Sequence, residues 1–313
     1  MKKSILISSF LLSLTATIFG QGLPPIYDNT PKEIQPTKNF AHYPKNTWLE
    51  NIVKGNDGNF YITNYPVGVI LKVSKSGNTE NYAQVKGKIA GIAKYGANQF
   101  LVTGWDTTSK PSIFIVDNKK NTSVFTSIDG GMFPNGIIEF GKNGYLIADS
   151  YAGCIWLLNK QDKSIKVWLK NDLLARIDEK SPLPGANGLK VYNNNLYISN
   201  TGKGVIVKVP IVNNEAGTPE VYVSGASVDD FAFDENGNIY GATNVFNRVI
   251  KISPDKKITV VAELSNGAAG ATSVVVEKSK EGKTILYVPT CGGMGVPPAT
   301  GIEEAKILEI KIK

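Results

Sequence analysis

The sequence predicts an all-β fold, a six-bladed β-propeller of four-stranded blades, and three observations predict it. A pattern of apolar runs separated by Gly/Asn turns occurs six times, beginning at Glu50, Ala90, Asn135, Asn187, Asp229 and Thr272. Successive starts are 40 to 52 residues apart, a period suited to a four-stranded propeller blade. The runs are rich in Val, Ile, Tyr and Phe, whereas amphipathic helix is nearly absent.

Turn signals support the division into strands. Asp57-Gly58, Asn143-Gly144 and Asn236-Gly237 separate apolar runs, as expected for β-hairpins. The best helical candidate is the segment 171–180, "NDLLARIDEK", within the longest spacing between units. We expect it to form a short helix or loop before the fourth blade.

The last unit lacks a strand. It ends at "KILEIKIK" (306–313) after only three apolar runs, and an open sheet edge invites aggregation. We therefore expect the segment 32–44, "KEIQPTKNFAHYP", to supply the outer strand of the last blade and close the ring.

The N-terminus carries a targeting pattern. Residues 1–20 combine two lysines, an apolar run and small or polar residues, which predicts a signal peptide followed by a single propeller domain over 21–313. The alternative is an uncleaved membrane anchor, although the apolar run is shorter than the ~20 residues of a spanning helix. We expect an exported protein, periplasmic or extracellular, that is monomeric and free of the membrane after cleavage.

Charge and rare residues exclude several functions. The formal net charge is +7, but the lysines are scattered over predicted hairpin tips, so we expect no nucleic-acid partner. His42 is the only histidine and lies in the predicted closing strand, which argues against a histidine metal site or a Ser-His-Asp triad. Cys154 and Cys291 belong to opposite blades, and we expect two buried thiols that are unpaired and far from the axis.

Polar residues recur where the blades begin. The first strand of each blade lines the central channel, so the unit starts should converge at one mouth of it. Glu50 and Asp229 contribute carboxylates there, and Asn135 and Asn187 contribute amides. Oxygen ligands favour a hard divalent cation. The alternative is that these residues only cap turns.

With these residues in place, the chain resembles the senescence-marker-protein/gluconolactonase (regucalcin-like) family of six-bladed propellers. The resemblance rests on a Glu opening the first blade, an Asn before Gly-Leu and a later Asp, at Glu50, Asn187 and Asp229. It implies a divalent cation held by these three residues, Ca²⁺ first, with Mg²⁺, Mn²⁺ or Zn²⁺ as alternatives. It also implies that Asn135, in "FPNGI", contacts substrate or metal. Asp230 departs from the family pattern, which has Gly there.

Two functions follow as hypotheses. The first is a metal-dependent hydrolase of a lactone or related cyclic ester, with Asp229 or Asp230 as the general base. In this hypothesis Trp105 and Tyr151 contact the small-molecule substrate at the channel rim, and packing between blades is the alternative role for both. The second is a non-enzymatic propeller that binds a small molecule or protein and contains a structural cation.

Overall fold

Six antiparallel sheets surround a central channel in the computed structural model, which describes residues 23–313. The first strands of the six sheets contact one another in a closed ring. The predicted six-bladed β-propeller is confirmed, whereas the predicted signal peptide, residues 1–20, lies outside the described residues. Within residues 23–313, no helix has the length and apolar character needed to cross a membrane.

The strands follow the predicted units. The closing strand β1 is Thr37–Lys45. The first three blades contain β2 Leu49–Lys54, β3 Phe60–Asn64, β4 Val69–Val73, β5 Thr79–Gln84, β6 Gly87–Gly96, β7 Gln99–Asp106, β8 Pro111–Val116, β9 Thr122–Ser127, β10 Pro134–Phe140, β11 Gly144–Asp149, β12 Cys154–Asn159 and β13 Ile165–Lys170. The last three contain β14 Ala186–Tyr192, β15 Asn195–Asn200, β16 Val205–Val212, β17 Glu215–Ala216, β18 Glu220–Ser224, β19 Phe231–Phe233, β20 Ile239–Ala242, β21 Val249–Ile252, β22 Ile258–Ala262, β23 Val275–Lys278, β24 Thr284–Pro289 and β25 Glu304–Lys311.

Helix is confined to single 3₁₀ turns in the described chain. They are Tyr65–Val67, Asp172–Leu174, Asn244–Phe246 and Leu264–Asn266. The second of them confirms a short helix within the segment 171–180. Blade four differs from the prediction because β17 adds a two-residue fifth strand beside β16.

The ring is closed as the sequence predicts. Strand β1 pairs antiparallel with β25, from Thr37 opposite Ile310 to Lys45 opposite Glu304. The residues before it make a different contact, since Lys32 forms a parallel bridge with Val260 of blade five. The closing strand therefore begins five residues later than predicted.

A β-bulge occurs where each of the first four blades begins. The strand registers shift between Leu49 and Ile52, and at the equivalent places in β6, β10 and β14. The bulged residues include Glu50, Ala90, Asn135 and Asn187. Because a bulge re-aims the side chains it carries, these residues point into the mouth instead of alternating regularly along the strand.

Buried hydroxyls fix the bulges of three blades. Each hydroxyl lies on a second strand, accepts a hydrogen bond from an amide of its own bulge, and donates to the carbonyl of the next unit start. The donors and acceptors are Thr63 to Ala90 (2.6 Å), Thr103 to Asn135 (2.5 Å) and Ser199 to Asp229 (2.7 Å). The candidate site is thus anchored blade by blade through the backbone.

Replacing Thr103 with Val should test this anchoring. The substitution keeps the shape but removes both hydrogen bonds, so the buried Gly91 amide and Asn135 carbonyl lose a partner. We expect the free energy of unfolding to fall by about 1–3 kcal/mol, measured by urea denaturation. Thr122→Val is the control, because its hydroxyl bonds the Gln84 carbonyl in an exposed position. Equal stability of the two variants would contradict the anchoring role.

Candidate active site

Three of the predicted ligands come together at the channel mouth. Asn187 Nδ2 donates to Asp229 Oδ1 over 2.6 Å, and the two side chains are almost completely buried. Glu50 is half-buried and accepts a hydrogen bond from Trp48 Nε1 over 2.6 Å. Its charge is close enough to Asp229 to raise the pKa of that carboxyl. Convergence of unit starts has therefore brought residues 50, 187 and 229 together.

The donor set suits a hard cation. Asn135 and Asn187 are 4% and 2% exposed, yet neither Oδ1 accepts a hydrogen bond from residues 23–313 and neither oxygen is sealed from the channel. Two carboxylates and two free amide oxygens match the preference of Ca²⁺ and Mg²⁺ for oxygen ligands. Within the described chain, no group of three or more His, Cys, Asp or Glu side chains is arranged to hold a metal, so a cation at this mouth would need amide oxygens as well.

Burial makes the carboxylates resist ionisation. It raises the pKa of Glu50 to about 7, helped by the charge of Asp230 and opposed by the Trp48 hydrogen bond. Burial also raises the pKa of Asp229 well above its usual value, and the charge of Glu50 adds to this, against hydrogen bonds from Asn244 and Asn187. A cation bound between these two carboxyl groups would stabilise their ionised forms and so lower both pKa values.

These raised pKa values predict a pH dependence of stability. The metal-free folded protein holds protons more tightly than the unfolded chain, so this contribution is complete below about pH 4.5 and is lost as pH rises toward 7. We expect the Tm in chelator to fall across this window, and Ca²⁺ to raise the Tm much more at pH 8 than at pH 4.5. An equal effect of Ca²⁺ at both pH values would contradict binding to these carboxylates.

Asp230 lies in a different network from the other predicted site residues. Its carboxylate accepts hydrogen bonds from Asn51 Nδ2 (3.1 Å) and Ser273 Oγ (2.7 Å) and pairs with Lys190 Nζ (2.6 Å). It faces a cavity of about 610 Å³ on the opposite side of the channel, also lined by Glu139 and Lys54. The structure does not bring Asp230 into the cluster around Asp229, because successive residues here point to opposite sides.

The position after each unit start explains this network. Blades two to four have glycine there, and a Cβ on Gly136 or Gly188 would collide with the next blade. The other three blades have Asp230, Ser273 and Asn51, whose side chains bond one another. The departure from glycine at residue 230 is therefore matched by two others, and the three side chains form one hydrogen-bonded polar network.

Trp105 and Tyr151 belong to a continuous aromatic arc at the mouth. We use this name for Trp48, Tyr65, Trp105, Phe133 and Tyr151, whose neighbouring ring centroids are 4.7 to 6.1 Å apart. All five are half-buried. Burial raises the pKa of Tyr65 to about 12, and the charges of Glu50 and Tyr151 add to this.

Asp149 organises the loops that carry two of the arc residues. Its fully buried carboxylate accepts hydrogen bonds from the backbone amides of 132, 133, 151 and 152, and from Trp156 Nε1. Four amides from two loops and one indole from strand β12 therefore bond a single carboxylate, which fixes the loops that carry Phe133 and Tyr151.

Sequence reasoning missed two residues at the mouth. Asn244 donates to Asp229 Oδ2 over 2.8 Å from a backbone with φ 26°, a conformation that few residues except Gly, Asn and Asp adopt. The predicted free, buried thiols are confirmed, but the expected distance of Cys291 from the axis is wrong, since its Sγ lies 3.9 Å from Asn244 Oδ1. It follows β24, a second strand that returns the chain to the mouth.

Comparisons with known proteins support the fold. No family model matches the chain. A protein from Phoma sp named "Putative hetero-Diels-Alderase" is 23% identical over 91% of this chain and 92% of its own. A gluconolactonase structure from Xanthomonas campestris matches with TM-score 0.64 and 12% identity, covering 90% of this chain and 97% of its own. The structure of the calcium-binding protein regucalcin from Agrobacterium tumefaciens matches with TM-score 0.64 and 13% identity, covering 90% of this chain and 96% of its own. The chain therefore has the six-bladed fold of the gluconolactonase and regucalcin propellers that its sequence resembles.

Proposed function

We propose that the protein is a metal-dependent hydrolase of a lactone or related cyclic ester. The observation that carries the proposal is the meeting of Glu50, Asn187 and Asp229 at one channel mouth, with amide oxygens free and carboxyl pKa values raised. Likeness in fold to a gluconolactonase and to a calcium-binding regucalcin supports it. Both proteins are less than 25% identical to this chain, and their likeness extends to the fold alone.

The chain's own groups divide the work of hydrolysis. Glu50, Asn187 and Asp229 would hold the cation, with Asn135 beside them to contact the substrate. A divalent cation bound there would polarise the ester carbonyl and lower the pKa of a bound water. Asp229 is the carboxylate that we assign to take the proton from the attacking water, because Asp230 already accepts from three donors. Asn244 and Asn187 orient Asp229 through one oxygen each.

A panel of aldono-, alkyl- and aryl-lactones, assayed with Ca²⁺, Mg²⁺, Mn²⁺ or Zn²⁺ and with chelator, tests this proposal. We expect ring opening that chelator abolishes and one of the metals restores. Thermal stabilisation by a metal without turnover of any lactone would instead support the alternative, a binding propeller with a structural cation.

A second candidate is a cycloaddition, favoured by a specific observation. The Phoma protein named as a putative hetero-Diels-Alderase shares 23% identity over most of both chains. Such a reaction needs two planar fragments held face to face, and the aromatic arc offers apolar ring surfaces against which they could lie. Conversion of a conjugated diene and a carbonyl compound to a cyclic adduct, without lactone turnover, would favour this candidate.

We also propose that the protein acts on a small molecule as an exported monomer. The targeting pattern in residues 1–20 supports export. Cell fractionation and light scattering of the mature chain are the measurements, and a cytoplasmic protein or a stable dimer would contradict the proposal.

A further inference from the structure

The aromatic arc ends in an unpaired positive charge. The Arg176 guanidinium lies 4.3 Å from the centre of the Tyr151 ring, and no described carboxylate forms a salt bridge with it. Its Nη1 donates to the carbonyls of Glu179 and Ser181, which fix its loop, while its other N–H groups donate to no described residue. A fixed guanidinium with free donors at the end of an aromatic surface suits a carboxylate.

The opposite end of the arc offers a hydroxyl. Tyr65 Oη makes no hydrogen bond within residues 23–313 and is not sealed from the channel, although its ring packs against Trp48 and Trp105. The Trp48 ring in turn bonds Glu50, so this end of the arc adjoins the candidate metal ligands. A free donor beside the reacting end of a site suits the carbonyl oxygen of a ligand.

The wall between these two ends is apolar and aromatic, and its neighbouring rings meet edge to face. Trp105, Phe133 and Tyr151 present half-buried rings, and the Trp105 N–H is already used by the Met132 carbonyl. A polyhydroxylated sugar lactone would find few hydrogen-bond partners for its hydroxyl groups on these rings. An aromatic or conjugated ring would instead stack on them.

We propose that the arc binds a planar aromatic carbonyl compound bearing a carboxylate, with its ring on Trp105 and Phe133, its carbonyl toward Tyr65 and its carboxylate toward Arg176. This inference rests on the proposed function for the position of the reacting end and names its substrate class. Trp105 and Tyr151, which the sequence predicts to contact the substrate, would then belong to one binding site. Tyr65 and Arg176 are its specificity-determining residues.

Binding of coumarin-6-carboxylate, in which the lactone carbonyl and the carboxylate lie at opposite ends of the fused rings, to the chelated protein tests the inference without requiring turnover or metal. Quenching of tryptophan fluorescence reports it, because Trp48 and Trp105 lie in the arc, while Trp156 and Trp168 are buried elsewhere. We expect saturable binding, about tenfold weaker binding of the ethyl ester, since a charge-assisted hydrogen bond is lost, and none of gluconate. Gluconate binding as tightly as the coumarin acid, or equal affinity for acid and ester, would overturn it.

Three variants assign the contacts. Arg176→Gln keeps a donor for the loop carbonyls and should erase the preference for acid over ester while leaving the ester's affinity unchanged. Phe133→Leu should weaken acid and ester alike, and Tyr65→Phe should weaken both by a smaller factor. Tyr192→Leu, which removes a ring stacked on Phe233 at the opposite end of the channel, is the control and should change nothing. Retention of the acid preference by Arg176→Gln would sink the assignment.

Failure of this inference is distinguishable from failure of the proposed function. Saturable acid binding without turnover of any lactone would leave the aromatic pocket standing and remove the hydrolase. Chelator-sensitive turnover of aldonolactones that Phe133→Leu and Arg176→Gln leave intact would keep the hydrolase and remove the aromatic pocket.

Discussion

Glu50→Gln and Asp229→Asn should each lower metal-dependent lactone hydrolysis by about 100-fold or more, since polarisation by a metal contributes several kcal/mol and each 1.4 kcal/mol is a factor of about ten. Each substitution removes one negative charge from the candidate metal centre. Asn187→Ala removes a neutral ligand and should have a smaller effect. Initial rates over a range of metal concentrations, with metal affinity from calorimetry, are the measurements.

The same two charge-removing variants should change stability in the opposite direction. Both carboxyl groups resist ionisation in the metal-free protein because they are buried and their charges repel. The amide side chains that replace them carry no charge, so we expect a higher Tm than the parent in chelator at pH 8, and a smaller rise of Tm on adding Ca²⁺. The gain in Tm should be smaller for Asp229→Asn, because asparagine keeps only one acceptor oxygen for the two donors Asn187 and Asn244. If Glu50 and Asp229 had no role in metal binding, the variants would not combine a higher Tm in chelator with a smaller rise of Tm on adding Ca²⁺.

A charge-matched control separates this effect from net charge. Glu139→Gln makes the same change on strand β10, at an exposed position facing the opposite cavity. We expect parental rates and metal affinity from it. If Glu50→Gln, Asn187→Ala and Asp229→Asn also bind metal as the parent does, the cluster serves only to shape turns and the hydrolase proposal loses its main support.

Deletion of residues 21–45 should prevent cooperative folding of the whole ring. Strand β1 supplies the outer edge of the last blade and places Ala41 and Tyr43 in a core shared with Leu49, Ile62 and other residues of blade one. Without it, β25 becomes an exposed edge and the contact between the last and first blades loses buried area. Thermal unfolding followed by circular dichroism is the measurement, and an unchanged transition would contradict the closure.

Point variants keep this prediction testable if the truncated chain is insoluble. Tyr43 is 8% exposed and its hydroxyl bonds Thr79 Oγ1 at 2.9 Å. Tyr43→Ala should lower the free energy of unfolding by about 3 kcal/mol, as truncation of a buried aromatic side chain does. Tyr43→Phe, which loses only the hydroxyl, should lose about 1 kcal/mol. Asn39→Ala in the exposed part of the same strand should be neutral.

The sequence predicted most of the candidate metal centre because the repeat fixes where each unit begins. Glu50, Asn187 and Asp229 are separated by 42 residues or more, yet each opens a first strand, and first strands start at the same face of a propeller. Alternation along a strand did not reveal the bulges that turn these side chains into the mouth. The residues that mark the bulges in the sequence are glycines 91, 136 and 188 and the hydroxyl residues of the second strands. They can be recognised as such only after the strands have been paired.

Asp230 illustrates the limit of such reasoning. It was a candidate base because it follows Asp229 in sequence. Successive side chains here point to opposite sides, however, so Asp230 bonds Lys190 and Ser273, which are 40 and 43 residues away. Cys291 illustrates the same limit, because the sequence placed it far from the axis and the structure places it at the mouth. It lies beside Asn244 because a glycine-rich loop folds over the mouth, and loops of this kind have no periodicity from which a position can be predicted.

By itself, the sequence determined the ring, its six units, its closure by an N-terminal strand and the convergence of oxygen ligands, because these depend on local alternation and on a repeat period. Only the tertiary structure decided how the mouth is built. Side chains from different blades meet in the aromatic arc and in the polar network around Asp230. The contacts of Arg176 with Tyr151 and of Asn244 with Asp229 likewise depend on loops that fold over the mouth. Such contacts depend on how neighbouring blades pack and how loops fold between them, so no local pattern in the chain specifies them.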